Sequence, residues 1–120
     1  MEFDLEKMYC GAVRRGDIFL YEEENKEKVV LVLQDSILNE RLPSVVVAKI
    51  EPHKSGERIF KNEVFLKSSE TGLGVNAVCK LYKINTVDRR KLVAKKGELK
   101  KDSLEKVFIA LDLNFGRFRD

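Results

Sequence analysis

The 120-residue sequence is poor in residues that staple or brace small proteins, with two cysteines, two prolines, one histidine and no tryptophan. Cys10 and Cys79 lie far apart, and the chain has no CxxC, no HExxH and no cluster of histidine and cysteine. The sequence therefore predicts two reduced thiols rather than a disulfide framework, and it indicates no metal site and no cofactor. We expect Cys79 to point inward from a strand and Cys10 to lie near a mobile end.

Long apolar runs are also absent, and no stretch approaches the length needed to cross a bilayer. The first nine residues, MEFDLEKMY, are acidic rather than basic and then apolar, which argues against a signal peptide. Together these two observations predict a cytoplasmic protein without a membrane segment.

Charge is abundant but unevenly placed. Charged residues make up 36% of the chain and sum to a net charge of +3. Acidic side chains dominate residues 1–27, whereas lysines and arginines dominate residues 80–101. A basic end suits a polyanion, most simply RNA or DNA. A solvated surface that only keeps the protein soluble is the alternative, and charge alone does not decide between the two.

Two apolar runs rich in β-branched residues form the centre of the chain. Val29–Leu33 and Val45–Ile50 are too short for buried helices of ordinary length, so the pattern predicts two strands buried on both faces. The polar connector Gln34–Pro43 joins them as a hairpin with a long loop, in which Ser36–Asn39 could form a helical turn.

Turn residues and alternating patterns predict the other strands and loops. In chain order these are a strand Ile18–Tyr21, a charged turn Glu22–Lys28 bent at Asn25, the loop EPHKSGER, a strand Ile59–Leu66 with Glu63 at a bend or edge, the loop KSSETGLG, a strand Ala77–Val87 that could be bent midway, a helical turn within Asp88–Ala94, and the basic linker KKGELKK.

An amphipathic helix is predicted near the carboxyl end, where apolar residues recur at i, i+3, i+4 and i+7: Leu104, Val107, Phe108 and Leu111. Asp102 or Ser103 should cap its first turn, and Gly116 can end it in the left-handed conformation. Short strands followed by one helix predict a mainly β fold, a strongly bent barrel of antiparallel strands with a C-terminal helix packed on it. We expect a loosely ordered extension over residues 1–13 and a single barrel domain over residues 14–120.

Five short stretches carry a resemblance to a known family: Arg14-Arg15-Gly16-Asp17-Ile18-Phe19-Leu20; Val30-Leu31-Val32-Leu33-Gln34 with Asn39 and Pro43; Val45-Val46-Val47-Ala48; Asn85-Thr86-Val87-Asp88 followed by Leu92; and the helix Ser103–Gly116. In this order and spacing they resemble the MazF/PemK (Kid) toxins of bacterial type II toxin–antitoxin modules. The resemblance covers nearly the whole chain beyond residue 13.

The resemblance implies an SH3-like barrel, shared with the CcdB toxin, that forms a homodimer and cleaves single-stranded RNA at short sequences without a metal. It also implies a cognate antitoxin that wraps the dimer and blocks the RNA groove. MazF-like enzymes usually have an arginine directly before the second strand's apolar run and a threonine or serine at the end of the third strand. This chain has Lys28 and Glu51 at those positions, and its first loop is short.

Metal-free RNA cleavage needs a base for the 2′-hydroxyl proton, an acid for the leaving 5′-oxygen, and fixed positive charge. Glu51 is the candidate base and His53 the candidate acid, because positions two apart in an extended segment point the same way. Lys28 and Arg58 are the candidate electrostatic clamp. The alternative is a partly exposed cross-strand ion pair between Lys28 and Glu51, with His53 as an ordinary loop residue.

Further basic and aromatic side chains are candidates for contacts with RNA: Arg14, Arg15, Lys80, Tyr82, Lys83, Arg89 and Arg90. Lys80 and Tyr82 share a strand face, and the Tyr82 ring offers a surface on which a base could stack. The alternative for Tyr82 is a rim or core aromatic whose hydroxyl lies in water.

Apolar residues near the carboxyl end could build a dimer seam or, alternatively, cap the barrel: Phe108, Leu111, Leu113, Phe115 and Phe118. The leading hypothesis is therefore a dimeric, cytoplasmic endoribonuclease toxin. Two alternatives stay open. One is a catalytically silent homologue that binds RNA or a protein partner, and the other is a CcdB-like inhibitor of DNA gyrase, which rests on fold-level analogy alone.

Overall fold

The computed structural model describes residues 7–117. The strands are β1 (Asp17–Glu23), β2 (Lys26–Val32), β3 (Ser44–Pro52), β4 (Glu63–Leu66), β5 (Ala77–Asp88) and β6 (Leu92–Glu98). The helices are α1 (Ser36–Arg41), α2 (Ser68–Thr71) and α3 (Lys101–Phe115), and a 3-10 turn covers Arg89–Lys91. The strands form one antiparallel six-stranded sheet in the order β4-β5-β3-β2-β1-β6. The prediction of a mainly β fold with a C-terminal helix is confirmed.

The predicted central hairpin is confirmed, because β2 and β3 pair in the middle of the sheet. Val29 lies opposite Ile50, and Val32 lies opposite Val47. The predicted helical turn in the connector is also present as α1, which runs two residues further than predicted, to Arg41. The connector therefore folds back on itself while the two apolar runs align.

Apolar side chains are buried on both faces of the central strands. The first core, which includes two residues of α3, contains Ile18, Leu31, Leu33, Ala48, Ile50, Val64, Leu66, Ala77, Cys79, Leu81, Val107 and Ala110. The second core, on the opposite face, contains Val13, Phe19, Tyr21, Val30, Val32, Val45, Val47, Val87 and Leu92. Successive residues of β2 and β3 alternate between the two cores, which explains why both sequences are almost continuously apolar. The inward position of Cys79 is confirmed.

The turn between β1 and β2 is tighter than the predicted span Glu22–Lys28. The strands continue to Glu23 and resume at Lys26, which leaves Glu24 and Asn25 as a two-residue loop. Both residues have positive φ angles, 52° and 63°, as a hairpin turn of this length requires. The bend at Asn25 is confirmed, because asparagine tolerates the left-handed conformation.

Of two predictions about the other strands, one needs correction and one is confirmed. The strand Ile59–Leu66 is too long, because β4 begins only at Glu63, whose carboxylate accepts a hydrogen bond from the Phe60 N–H at 2.9 Å and closes a turn there. The strand Ala77–Val87 is present as β5 and is irregular midway. Its register against β3 jumps from Ile84 to Lys80 between successive β3 residues, which confirms the predicted bend.

The prediction that KKGELKK is a basic linker is wrong, because most of this segment belongs to β6 at one edge of the sheet. Asp17 lies opposite Glu98 in the pairing with β1. Lys95 places its Nζ 3.3 Å from Oδ1 of the buried Asp17, so one of these lysines is structural. Edge strands often carry lysines, which discourage pairing with another chain. These lysines made the strand resemble a solvated linker in the sequence.

The segment predicted as the loop KSSETGLG contains α2, which contacts β6 and brings the two ends of the curled sheet together. Gly72 ends α2 with φ 70°, and a Cβ atom there would lie 1.9 Å from the carbonyl oxygen of Lys96. A Cβ on Gly97 would lie 2.7 Å from the carbonyl oxygen of Thr71. These two glycines therefore let two backbones meet where the barrel closes.

Helix α3 begins at Lys101, so the prediction that Asp102 or Ser103 is the N-cap is wrong. Lys100 occupies that position, and no side chain caps the helix there. Asp102 lies in the first turn instead, where a negative charge is favourable. The prediction for Gly116 is confirmed, since it ends the helix with φ 63°. None of the helices in the described range 7–117 is long and apolar enough to span a membrane.

Part of the predicted N-terminal extension is described. The Tyr9 ring packs edge-on against Phe19 with centroids 4.9 Å apart, and Val13 is buried in the second core. Arg89 donates a hydrogen bond from its guanidinium to the Gly11 carbonyl oxygen at 2.9 Å. Residues 1–6 and Phe118 lie outside the described residues, and the division into segments 1–13 and 14–120 stays a prediction.

Candidate nucleic-acid interface

Part of the sheet face that carries the second core is polar. Ile50 and Cys79 point into the first core, so their neighbours along β3 and β5 point to the other side of the sheet. The pairing of these strands places Lys49 opposite Lys80. Four charged side chains meet here, and we call them the lysine–glutamate cluster: Lys49, Glu51, Lys80 and Lys83.

Glu51 lies at the centre of the lysine–glutamate cluster. Its Oε2 is 2.7 Å from Nζ of Lys80 and 3.3 Å from Nζ of Lys83. Its Oε1 is 3.6 Å from Nζ of Lys49. The hydrogen bond from Lys80, aided by the other lysines and opposed by desolvation, lowers the pKa of Glu51 from 4.5 to about 2. One ionised carboxylate among three ammonium groups leaves this part of the sheet positively charged.

The lysines of the cluster differ in exposure. The side chain of Lys80 is 19% exposed and that of Lys83 is 43% exposed. The bond to Glu51 raises the pKa of Lys80, so this ammonium group stays charged at neutral pH. Both groups are compact positive charges of the kind that contact phosphate oxygens.

Tyr82 lies beside the cluster with its ring partly open to solvent. Its hydroxyl donates a hydrogen bond to Oε2 of Glu63 at 3.0 Å. Desolvation, followed by this hydrogen bond, raises the pKa of Tyr82. Glu63 is almost fully buried, so a protein carboxylate fixes the hydroxyl while 44% of the tyrosine remains exposed.

Lys28 lies in β2, opposite Tyr21 of β1, and is exposed. The Tyr21 hydroxyl donates to Glu23 and is the main cause of the lowered pKa of Glu23, to which the charge of Lys28 also contributes. Within residues 7–117 no ion pair joins Lys28 to Glu51. The cross-strand ion pair considered as an alternative in the sequence analysis is therefore not formed.

His53 lies just beyond β3 and is held by two backbone groups. The backbone N–H of His53 donates to the Asn76 carbonyl oxygen at 2.9 Å, and the ring Nε2 lies 3.0 Å from the Glu57 carbonyl oxygen. Because a carbonyl oxygen only accepts, Nε2 carries a proton in this arrangement and Nδ1 is the nitrogen left for proton transfer. The ring packs edge-on against Phe65, with centroids 5.2 Å apart. In the described range, His53 and Glu51 make no hydrogen bond with each other.

The arginines predicted to contact RNA lie apart from the cluster. Arg58 places its guanidinium 5.2 Å from the centre of the Phe60 ring. Arg15 donates from Nε to the Leu33 carbonyl oxygen at 3.0 Å and lies over the ring of Phe108 in α3. Arg14 donates its backbone N–H to the Asp17 carboxylate, next to β6. The structure thus brings together Glu51, Lys80 and Lys83 from the predicted set, with Tyr82 alongside.

A comparison with models of protein families shows which family this chain belongs to. The sequence model described as PemK-like, MazF-like toxin of type II toxin-antitoxin system matches residues 14–115. The chain belongs to this family. The match spans all of the strands and helix α3, so the lysine–glutamate cluster lies within the part of the chain that matches the PemK-like toxins.

Solved structures of toxins share the fold of this PemK-like protein. An endoribonuclease in complex with its cognate antitoxin from Mycobacterial species gives a TM-score of 0.76 at 19% identity, covering 88% of this chain and 96% of that chain. The Mycobacterium tuberculosis toxin MazF-mt6 gives a TM-score of 0.72 at 22% identity, covering 83% of this chain and 96% of that chain. A MazE–MazF crystal structure from Deinococcus radiodurans gives a TM-score of 0.71 at 20% identity, covering 88% of this chain and 97% of that chain. These matches establish the MazF-like fold.

Three side chains at the site of this PemK-like protein were not found from the sequence: Lys49, Glu63 and Phe65. Lys49 lies two residues before Glu51 in β3, so the strand period of two could have placed both on one face. Phe65 lies between Val64 and Leu66 of the first core, and the same alternation could have marked it as outward-facing. Nothing in the sequence signals that Glu63 is buried, because its side-chain partner, Tyr82, is 19 residues away.

Proposed function

We propose that this PemK-like toxin is an endoribonuclease that cleaves single-stranded RNA at short sequences without a metal ion. Membership of the family and the fold shared with structures named endoribonuclease support the proposal. The observation that carries it is the lysine–glutamate cluster, in which an ionised carboxylate lies within 3.3 Å of two lysine ammonium groups on a partly open sheet face.

In the proposed mechanism Glu51 takes the 2′-hydroxyl proton while the 2′-oxygen attacks the phosphorus. The bond from phosphorus to the 5′-oxygen breaks, a 2′,3′-cyclic phosphate is left, and His53, acting as an imidazolium, gives its Nδ1 proton to the leaving 5′-oxygen. Lys80, Lys83 and Lys28 stabilise the charge that develops on the phosphate, and Arg58, which lies apart from the cluster, contacts a neighbouring phosphate of the strand. A carboxylate with a pKa of about 2 is a weak base in the free protein. A bound phosphate would compete for the same lysines, which raises the pKa of Glu51 toward its ordinary value and strengthens the base when substrate is present.

The other predicted RNA contacts extend this proposal beyond the scissile phosphate. Tyr82 adjoins the cluster, whereas Arg14 and Arg15 lie near the start of β1 and would contact a more distant part of the strand. Arginine at such positions can grip a phosphate at two points, which lysine cannot. The replacement of the family's usual arginine and threonine by Lys28 and Glu51 is part of the same proposal.

Substitution Glu51→Gln tests the mechanism. We expect kcat for a defined RNA in EDTA-containing buffer to fall by about 10²- to 10⁴-fold, because a general base contributes that much. RNA binding should become tighter at the same time, because the variant frees three lysines from their carboxylate. Primer extension on the RNA measures cleavage, and Glu105→Gln on the exposed face of α3 is the matched control. An unaltered kcat would exclude Glu51 as the base.

A catalytically silent RNA-binding protein is the second candidate, and the low pKa of Glu51 is the observation that favours it. In that case the purified wild-type protein binds single-stranded RNA but leaves it intact under every metal condition. If expression arrests growth while the RNA stays intact, the result would instead support a CcdB-like inhibitor of DNA gyrase. Fragmented RNA after expression supports the nuclease.

We also propose that the toxin is a cytoplasmic homodimer neutralised by a cognate antitoxin. Solved neighbours with the same fold include complexes with an antitoxin. On α3, Ile109, Leu113 and Phe115 are 61%, 53% and 68% exposed, which is more apolar surface than a solvated helix needs. Phe108 and Leu111 of the predicted seam are only partly exposed. Light scattering on the wild type and on Leu113→Arg tests whether this surface is the seam.

A further inference from the structure

Two aromatic rings lie partly exposed beside the lysine–glutamate cluster. Phe65 is 39% exposed and Tyr82 is 44% exposed. Phe65 lies opposite Val78, and Val78 lies opposite Glu51 on the next strand. Two strand spacings, about 10 Å, therefore separate Phe65 from Glu51 across the same face of the sheet.

Both rings are held in place by neighbouring side chains. The edge-on contact with His53 supports one side of Phe65. The hydrogen bond to Glu63 fixes the hydroxyl end of Tyr82, and Glu63 lies opposite Lys80 of the cluster. A ring that is already fixed loses little conformational entropy when a ligand stacks on it, so both rings are prepared surfaces.

The charge between the rings selects the ligand. Three lysines against one glutamate favour a polyanion, and exposed ring faces favour flat aromatic groups that are not already stacked in a duplex. Single-stranded nucleic acid has both features, because its phosphates are charged and its bases are unpaired.

We propose that Phe65 and Tyr82 are stacking platforms for two unpaired bases of an RNA strand whose intervening phosphate contacts Lys80 and Lys83. Glu63 is the positioning residue for the Tyr82 platform. This inference rests on the proposed function, because it takes single-stranded RNA as the ligand, but it concerns binding and does not require that the strand is cut.

The test compares an RNA with its bases and the same strand with abasic sites, both carrying 2′-O-methyl groups so that neither is cleaved through the 2′-oxygen. We expect Phe65→Leu and Tyr82→Leu each to weaken binding of the base-bearing strand by about tenfold, as stacking on one ring contributes. Binding of the abasic strand should change less than twofold. Ile37→Ala, which shortens an exposed apolar side chain on α1, is the control and should affect neither strand.

The positioning role of Glu63 needs a readout that general destabilisation would not give. Glu63→Gln should weaken binding of the base-bearing strand in the wild-type background but have no further effect in Tyr82→Phe, where the hydroxyl is already missing. Equal losses in both backgrounds would overturn the positioning role. Thermal unfolding of each variant confirms that the comparison is made on folded protein.

The outcomes separate this inference from the proposed nuclease activity. Base-dependent binding that the ring substitutions abolish, without any cleavage of ordinary RNA, would support the platforms and contradict the nuclease. Cleavage of ordinary RNA with equal binding of base-bearing and abasic strands would overturn the platforms and leave the nuclease standing. Ring substitutions that leave the preference for bases intact would also overturn the platforms.

Discussion

At the scale of single residues, the charge state of Glu51 follows from its surroundings rather than from its own chemistry. Lys80 and Lys83 hold the carboxylate in its ionised form, and the strand pairing brings Lys49 to the same face. The same contacts that make Glu51 a weak base keep the lysines close together. Binding a phosphate here therefore changes the carboxylate and the lysines as one unit.

This coupling predicts how stability depends on pH. The pKa of Glu51 is about 2 in the folded protein and 4.5 when unperturbed, so its stabilising contribution is present above pH 4.5 and is lost as pH falls toward 2. We expect the free-energy difference of unfolding between wild type and Glu51→Gln to shrink by about 1 kcal/mol or less from pH 7 to pH 3, because the cluster is partly exposed. Urea unfolding measures it, and a difference that stays constant over this range would contradict the assigned contacts.

The family resemblance and the residue pattern together found part of the site. The resemblance pointed to Glu51, the period of two along an extended segment added His53, and a basic strand pointed to Lys80 and Lys83. The same reasoning failed for Glu63, because one of its two hydrogen-bond partners, Tyr82, lies on another strand that the fold brings to it. Isolated acids in strands do not reveal such partners in sequence.

At the scale of elements, the central hairpin could be predicted because two β-branched runs buried on both faces have few other structures available. The strand β6 could not, because its lysines resemble a solvated linker, and only pairing with β1 makes it a strand. Helix α2 was missed for a similar reason. Four residues followed by a glycine have little preference of their own for a helix, and the contact with β6 stabilises this turn.

The closure of the barrel at Gly72 gives a prediction at this scale. Gly72→Ala should destabilise the protein by about 2 kcal/mol or more, because the new Cβ meets a backbone oxygen and the φ angle is positive. Gly74 has a similar φ of 77° with open space around it, so Gly74→Ala should cost only about 1 kcal/mol. Equal losses in urea unfolding for the two variants would show that the contact with β6 contributes nothing.

At the scale of the whole molecule, the excess of basic residues between 80 and 101 does not form a single patch. Arg89 holds the carbonyl oxygens of Asn39 and Gly11, Arg90 pairs with Asp88, and Lys95 pairs with Asp17. Lys80 and Lys83 are the part that reaches the lysine–glutamate cluster. The excess of basic residues in the sequence indicated a polyanionic partner, but the fold determines which of these side chains make internal contacts and which can contact a ligand.

The salt dependence of RNA binding tests the central claim most directly, because it counts the phosphate contacts that the cluster makes. We predict that Lys80→Gln combined with Lys83→Gln weakens binding of a short single-stranded RNA and reduces the slope of log K against log salt by about 1.4, at about 0.7 per contact. The control is Lys101→Gln combined with Lys106→Gln on α3, which removes the same charge elsewhere and should leave the slope unchanged. Equal slopes in the cluster variant and the wild type would contradict the account.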